Sequence, residues 1–184
     1  MSWFRRESTP IPGLSILQGK ANSDNRGEFS RLFCAKEMLT ILGTNSFAQV
    51  NRSLSHESGV IRGLHFQRPP HAEIKLVRCI RGRVWDVAVD LREDSPTFLK
   101  WYAEELSGHN HKVMVIPEGF AHGFQVLDKE SELIYFHSKP YQPFAEGGLR
   151  YDDPALTINW PLPARNVSNR DLSFPFISEG FTGL

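Results

Sequence analysis

Cysteine is nearly absent from this chain of 184 residues: Cys34 and Cys79 are the whole complement. Two thiols are too few for a disulfide framework and neither stands in a paired metal-ligand spacing, so a reducing, cytoplasmic compartment is expected. Long apolar runs are missing too. The opening segment to Leu17 carries Arg5, Arg6, Glu7, Pro10 and Pro12, unlike a signal peptide. No later stretch approaches the ~20 apolar residues of a membrane-spanning helix, so no membrane partner is expected. Net charge is lacking as well, with 21 Lys and Arg against 21 Asp and Glu. No global field then exists to gather nucleic acid or an anionic lipid surface, and an anionic ligand must be held by a local cluster of cations. Phosphate-binding loops and dinucleotide fingerprints do not occur, which argues against a kinase or a Rossmann oxidoreductase. The chain also has no internal repeat, low-complexity tract or linker, and its length suits one domain over residues 1–184.

Period-two alternation is what the chain has in quantity. Lys75, Val77 and Cys79 alternate with Leu76, Arg78 and Ile80, and Trp85, Val87, Val89 and Leu91 with Val84, Asp86, Ala88 and Asp90. Both segments read as strands, joined through Gly82 in a tight hairpin. Further strands are expected at Leu14–Gln18, Glu28–Phe33, Phe47–Ser53, Val60–Phe66, Leu99–Glu105, Lys112–Ile116, Gly123–Val126 and Glu132–His137. One helix is expected at Ala35–Leu42, closed by Gly43. The tail from Asp152, rich in Pro, Asn and Ser, reads as ordered loop packed on the body of the fold. Many short strands with almost no helix give an all-β class, a jelly-roll barrel or sandwich being the favoured closed form.

Strand parity narrows the search for a site, because residues two apart share a face. Ile61, Gly63, His65 and Gln67 then lie on one side of their strand, with Arg62 and Leu64 on the other. Leu133, Tyr135 and His137 share a face, as do Lys75, Val77 and Cys79. Each polar candidate thus keeps apolar or small company, as in a barrel interior with polar groups near its mouth. His, Lys and Tyr together suit proton abstraction beside a carbonyl. Histidine can act as base near neutrality, lysine can stabilise an enolate oxygen, and tyrosine can return a proton from the other side. Plainer readings stand beside these. His65 and His122 suit core or turn histidines, Tyr135 a tethered core tyrosine, Lys75 and Arg62 rim charges, and Asp171 the start of a turn.

Pro117, Gly119 and His122 match the second motif of metal-binding cupins, which are jelly rolls. The first motif needs His-x-His and a glutamate four or five residues on, whereas this chain runs His65-Phe66-Gln67 with Glu73 the next glutamate. Two ligands are missing or misplaced, so no metal is expected.

Ordered motifs now converge on one family. They are Asp24-Asn25-Arg26-Gly27, Gln49-Val50-Asn51, Arg62-Gly63-Leu64-His65-Phe66-Gln67, Lys75-Leu76-Val77-Arg78, Asp86 to Arg92, Ser95-Pro96-Thr97, Pro117 to Phe124, and Asp153-Pro154-Ala155 with Trp160-Pro161. From about Leu14 to about Pro175 the chain resembles the dTDP-4-dehydrorhamnose 3,5-epimerases, cupin-fold enzymes of deoxysugar biosynthesis. The resemblance implies a cofactor-independent epimerase. In it His65 is the base at sugar carbons 3 and 5, Asp171 orients His65, Lys75 stabilises the enolate at carbon 4 and Tyr135 is the proton donor. His122 would line the sugar pocket, while Arg26, Gln49, Asn51, Arg62, Glu146 and Arg170 would contact the nucleotide diphosphate or line the site. Arg31, also on the nucleotide side, stands where many members carry glutamate. Pro140 precedes Tyr141 where two tyrosines are common, and Glu73 replaces a common glutamine. The implied substrate is dTDP-4-dehydro-6-deoxy-D-glucose. A single-centre epimerase, a CDP- or GDP-linked substrate and a non-catalytic nucleotide-sugar-binding cupin remain open. The resemblance also implies a homodimer in which an N-terminal strand joins the partner's sheet, for which Glu28–Phe33 reads as a suitable edge.

Overall fold

The structure, a computed structural model, describes residues 2–44, 46–178 and 180–184; Met1, Asn45 and Glu179 lie outside the described residues. One sheet of six strands runs β1 (Phe4–Ser8), β2 (Ser15–Gly19), β10 (Lys112–Ile116), β7 (Lys75–Arg81), β12 (Ser131–His137) and β5 (Gln49–Ser55). A second of five runs β13 (Glu146–Gly148), β6 (Ile61–Gln67), β11 (Phe120–Val126), β8 (Arg83–Asp90) and β9 (Trp101–Ser107). Neighbouring strands pair antiparallel throughout. A hairpin of β3 (Ala21–Asp24) and β4 (Gly27–Ser30) stands apart. The all-β class holds, as two facing open sheets with, among the described residues, two short helices, α1 (Ala35–Leu42) and α2 (Asn169–Ser173). No helix among the described residues is long and apolar enough to cross a membrane.

Three apolar layers explain the pattern of residues along the strands. Between the sheets, Ile16, Val77, Met114 and Leu133 of the larger sheet meet Val84, Ala88, Phe124 and Val126 of the smaller. Behind the smaller sheet, Leu64, Phe66, Val87 and Val89 are covered by Leu149, Leu156, Trp160, Ile177 and Phe181 of the tail. Behind the larger, Leu17, Leu76, Val113 and Val115 are covered by Met38 and Ile41 of α1 and by Phe33 and Phe47. Central strands are therefore buried on both faces, which is why Val113–Ile116 is apolar without a break. Truncating a fully buried residue such as Leu133 to Ala is expected to cost about 2–5 kcal/mol. The tail packs as the sequence suggests, apart from α2. Helix α1 has the expected bounds, and the Gly43 N–H closes it on the Leu39 carbonyl at 3.0 Å.

The Gly82 hairpin is a correction. β7 and β8 do not pair: one belongs to the larger sheet and the other to the smaller, so Gly82 turns the chain from one layer to the next. Its φ is +72°, and a Cβ there would lie 2.3 Å from Ser131 Oγ, so both its conformation and its space suit glycine. The strand expected at Glu28–Phe33 ends at Ser30, and the Arg31 carbonyl instead accepts from Arg78 Nη1 at 2.9 Å. β1 and β3 carry no apolar alternation because most of their side chains face solvent.

Candidate active site

The space between the sheets is left open at one end, as a cavity of about 890 Å³. All the sequence-selected residues line it except Arg26 and Arg31. The smaller sheet supplies Arg62 and His65 from β6 and His122 from β11. The larger supplies Gln49 and Asn51 from β5, Lys75 from β7 and Tyr135 from β12. Glu146 of β13 and Arg170 and Asp171 of α2 complete the lining. His65 and Tyr135 thus belong to opposite walls.

A β-bulge sets the β6 wall. His122 pairs with His65, but Phe124 pairs with Arg62, so three residue steps on β6 face two on β11. The extra residue resets the alternation. Arg62 therefore shares the cavity face with His65 while Leu64 stays in the opposite layer, correcting the parity expectation for Arg62. Gly63 makes this possible. A Cβ at Gly63 would come within 2.7 Å of Gly123 Cα and of the His122 carbonyl.

His65 Nε2 lies 2.8 Å from Asp171 Oδ1, and the Gly63 N–H donates to Asp171 Oδ2 at 3.1 Å. Asp171 sits in the first turn of α2, where its own N–H donates to the capping Ser168 Oγ at 3.0 Å. Burial is the largest influence on the Asp171 carboxyl and raises it, yet the bonds from His65 and Gly63 bring it below the ordinary value. The ionised carboxylate can only accept, so His65 Nε2 donates to it, and in the neutral form of the ring the lone pair falls on Nδ1. The partner of His65 is thus a carboxylate, where the core-histidine reading required a backbone carbonyl.

On the facing wall, the Tyr135 hydroxyl lies 2.8 Å from Ser53 Oγ. Burial pushes the phenol well above its ordinary value, so it keeps its proton near neutrality. Lys75 Nζ lies 3.4 Å from Glu73 Oε1, and Glu73 Oε2 accepts from His137 Nδ1 at 2.8 Å. His122 is bound through Nε2 to Asp86 Oδ1 at 2.8 Å, and burial pushes its imidazole below the ordinary value.

Arg62 Nε donates to Ser55 Oγ at 3.2 Å. Arg170 pairs with Glu146, whose carboxylate also accepts from the Tyr141 hydroxyl at 2.6 Å. Gln49 Nε2 donates to Asn51 Oδ1 at 3.1 Å. Arg52, Arg62, Lys75 and Arg170 bring to the cavity lining the local positive charge that a neutral chain needs in order to hold an anion. Arg26 is exposed in the β3–β4 hairpin against Asp24, and Arg31 lies over the Trp3 ring with Glu37 at 3.4 Å. Ser53, Glu73 and His137 also line the cavity, and Asp86 lies behind it against His122; the sequence singles out His137 only for its face and none of the other three as a site residue. Parity held the signal, since Asp86 shares a face with Val84 and Ala88, and His137 with Tyr135.

Residues 8–179 match the family described as dTDP-4-dehydrorhamnose 3,5-epimerase. The chain is 43% identical to the dTDP-4-dehydrorhamnose 3,5-epimerase of Shigella flexneri over 90% of this chain and 91% of that one. Among solved structures it is similar to the Legionella pneumophila dTDP-6-deoxy-D-glucose-3,5-epimerase in complex with dTDP-4-keto-L-rhamnose. The two are 40% identical with a TM-score of 0.89, covering 94% of this chain and 92% of that one. It is also similar to a 3'-monoepimerase of Streptomyces bikiniensis in complex with dTDP-quinovose, at 31% identity and a TM-score of 0.85, covering 91% and 85%. These neighbours share the cupin-type jelly roll. The chain belongs to the dTDP-4-dehydrorhamnose 3,5-epimerase family of isomerases.

Proposed function

We propose that this protein converts dTDP-4-dehydro-6-deoxy-D-glucose to dTDP-4-dehydro-L-rhamnose by inverting carbons 3 and 5 in turn. His65 Nδ1 removes the proton beside the 4-keto group, and the bonding pair moves to the carbonyl oxygen as an enolate. Lys75 stabilises that oxygen. Tyr135 then delivers a proton to the opposite face of the carbon, and the cycle repeats at the second centre after His65 and Tyr135 have exchanged protons with solvent. No electron is gained or lost, so the chemistry requires no redox cofactor. Asp171 holds the imidazole in one tautomer and balances its positive charge after abstraction. Arg62 and Arg170 face the diphosphate, while Gln49, Asn51, His122 and Glu146 line the rest of the site.

A single observation carries the reading: the histidine with an available basic nitrogen and the protonated tyrosine stand on opposite walls of one cavity. Inversion needs the new proton to arrive from the side the old one did not leave. The test is turnover of the dTDP-4-keto sugar in deuterium oxide. Deuterium at both carbons of an inverted product is expected; deuterium at carbon 3 alone would make this a monoepimerase, and none at either carbon would reject the reading.

The protein is read as a cytoplasmic homodimer. β5 is an outer strand of its sheet with Val50 58% exposed, and the separate β3–β4 hairpin exposes 63% of Phe29, which suits strand addition between copies. Arg26 and Arg31, on and just beyond that hairpin, would then serve the partner's cavity. A monomeric protein with full activity would remove this part of the proposal.

A further inference from the structure

We infer that Glu73 and His137 form a positioning pair that holds the Lys75 ammonium in place for the sugar's carbonyl oxygen. The inference rests on the role given to Lys75 above. Lys75 and His137 are direct cross-strand neighbours in the β7–β12 pairing, so their side chains emerge together on the cavity face. Glu73 precedes β7, and its carboxylate reaches both of them. His137 Nδ1 donates to Oε2 at 2.8 Å, while Oε1 stands 3.4 Å from Lys75 Nζ. The segment carrying Glu73 is pinned: the Ile74 N–H donates to Ser138 Oγ at 2.8 Å, and the Ser138 N–H to the Ile74 carbonyl at 3.0 Å. The carboxylate is therefore delivered from fixed backbone.

His137 is fixed from two more sides. Asn51 Nδ2 lies 3.4 Å from His137 Nε2, and the His137 ring stacks on Tyr135 with centroids 6.1 Å apart. Enclosure is the largest influence on the Glu73 carboxyl and raises it, but the His137 bond and the Lys75 charge bring it below the ordinary value, so it is ionised at neutral pH. The Lys75 contact is the longer of the two, an ion pair that engages one side of an ammonium carrying three N–H donors. A lysine stem has four rotatable carbons. Holding its head beforehand lowers the cost of ordering it when the enolate forms.

The test is steady-state kinetics on dTDP-4-dehydro-6-deoxyglucose with Glu73→Gln, His137→Phe, His137→Asn and Lys75→Met. Glu73→Gln removes the counter-charge, and His137→Phe keeps the ring against Tyr135 while losing the donor. Each is expected to lower kcat about tenfold with KM within about twofold of wild type. His137→Asn offers an amide N–H near the position of Nδ1 and should restore most of kcat. Unchanged kcat in Glu73→Gln and His137→Phe, or His137→Asn as impaired as His137→Phe, overturns the pair. Should Glu73→Gln prove insoluble, the contrast between the two His137 variants decides. Lys75→Met separates the two levels of argument. If it turns over normally, the role of Lys75 fails and the pair with it; if it is impaired while Glu73→Gln is normal, only the pair fails.

Discussion

Two histidine–carboxylate pairs stand opposite each other across one strand pairing, alike in chemistry and unlike in access. His65 on β6 and His122 on β11 are register partners, each with Nε2 2.8 Å from an aspartate oxygen. Asp171 reaches His65 from the C-terminal tail, whereas Asp86 reaches His122 from the adjacent strand β8. The His65 side chain keeps 30% of its surface open, against 6% for His122. Access therefore separates a pair that can trade protons with a ligand and solvent from one that holds the wall together. Asp86 Oδ2 has no hydrogen-bond partner among the described residues although the carboxylate is fully buried, so its support comes through Oδ1 from His122.

The largest expected effect is at the open pair. His65→Asn should lower exchange at both sugar carbons by at least ~100-fold, the lower end of what a general base contributes, measured by deuterium uptake. Asp171→Asn should lower kcat by at least about tenfold while dTDP affinity, measured by calorimetry, stays near wild type. Poor dTDP binding with normal turnover would move Asp171 to the binding surface. At the closed pair the effect should fall on stability. Asp86→Ala leaves a buried imidazole N–H without its acceptor and should cost about 1–3 kcal/mol in denaturant unfolding.

The smallest effect is a pH dependence. The lowered value of His122 means the unfolded chain takes up a proton that the folded chain refuses. Its stabilising contribution is complete above the unfolded value of 6.5 and is lost as pH falls below it toward the folded value. For Asp171 the contribution is complete above 3.8 and is lost as pH falls through its lowered folded value. Thermal scans should therefore show Tm beginning to fall below about pH 6.5, with a shallower slope in His122→Asn. Equal slopes in the two proteins would assign the dependence to other groups.

Much of this was readable from alternation and spacing: the bounds of β10 and α1, and the shared face of Leu133, Tyr135 and His137. What escaped has physical causes. A glycine between two strands can close a hairpin or carry the chain to another sheet, and only distant pairing partners decided for Gly82. The bulge at Gly63 depends on the backbone of β11, so parity counted along β6 alone put Arg62 on the wrong side. The Asp171 contact joins positions 106 residues apart, and it came from family resemblance while spacing suggested only a turn.

Removing the donor on the far wall tests the opposed arrangement most directly. Tyr135→Phe, incubated with dTDP-4-dehydro-6-deoxyglucose in deuterium oxide, separates abstraction from inversion. The expected result is continued deuterium uptake with retained configuration, because His65 can return a solvent-derived proton to the face it came from, while inverted sugar accumulates far more slowly. Inversion at the wild-type rate would contradict the account and leave Tyr135 a core tyrosine bonded to Ser53.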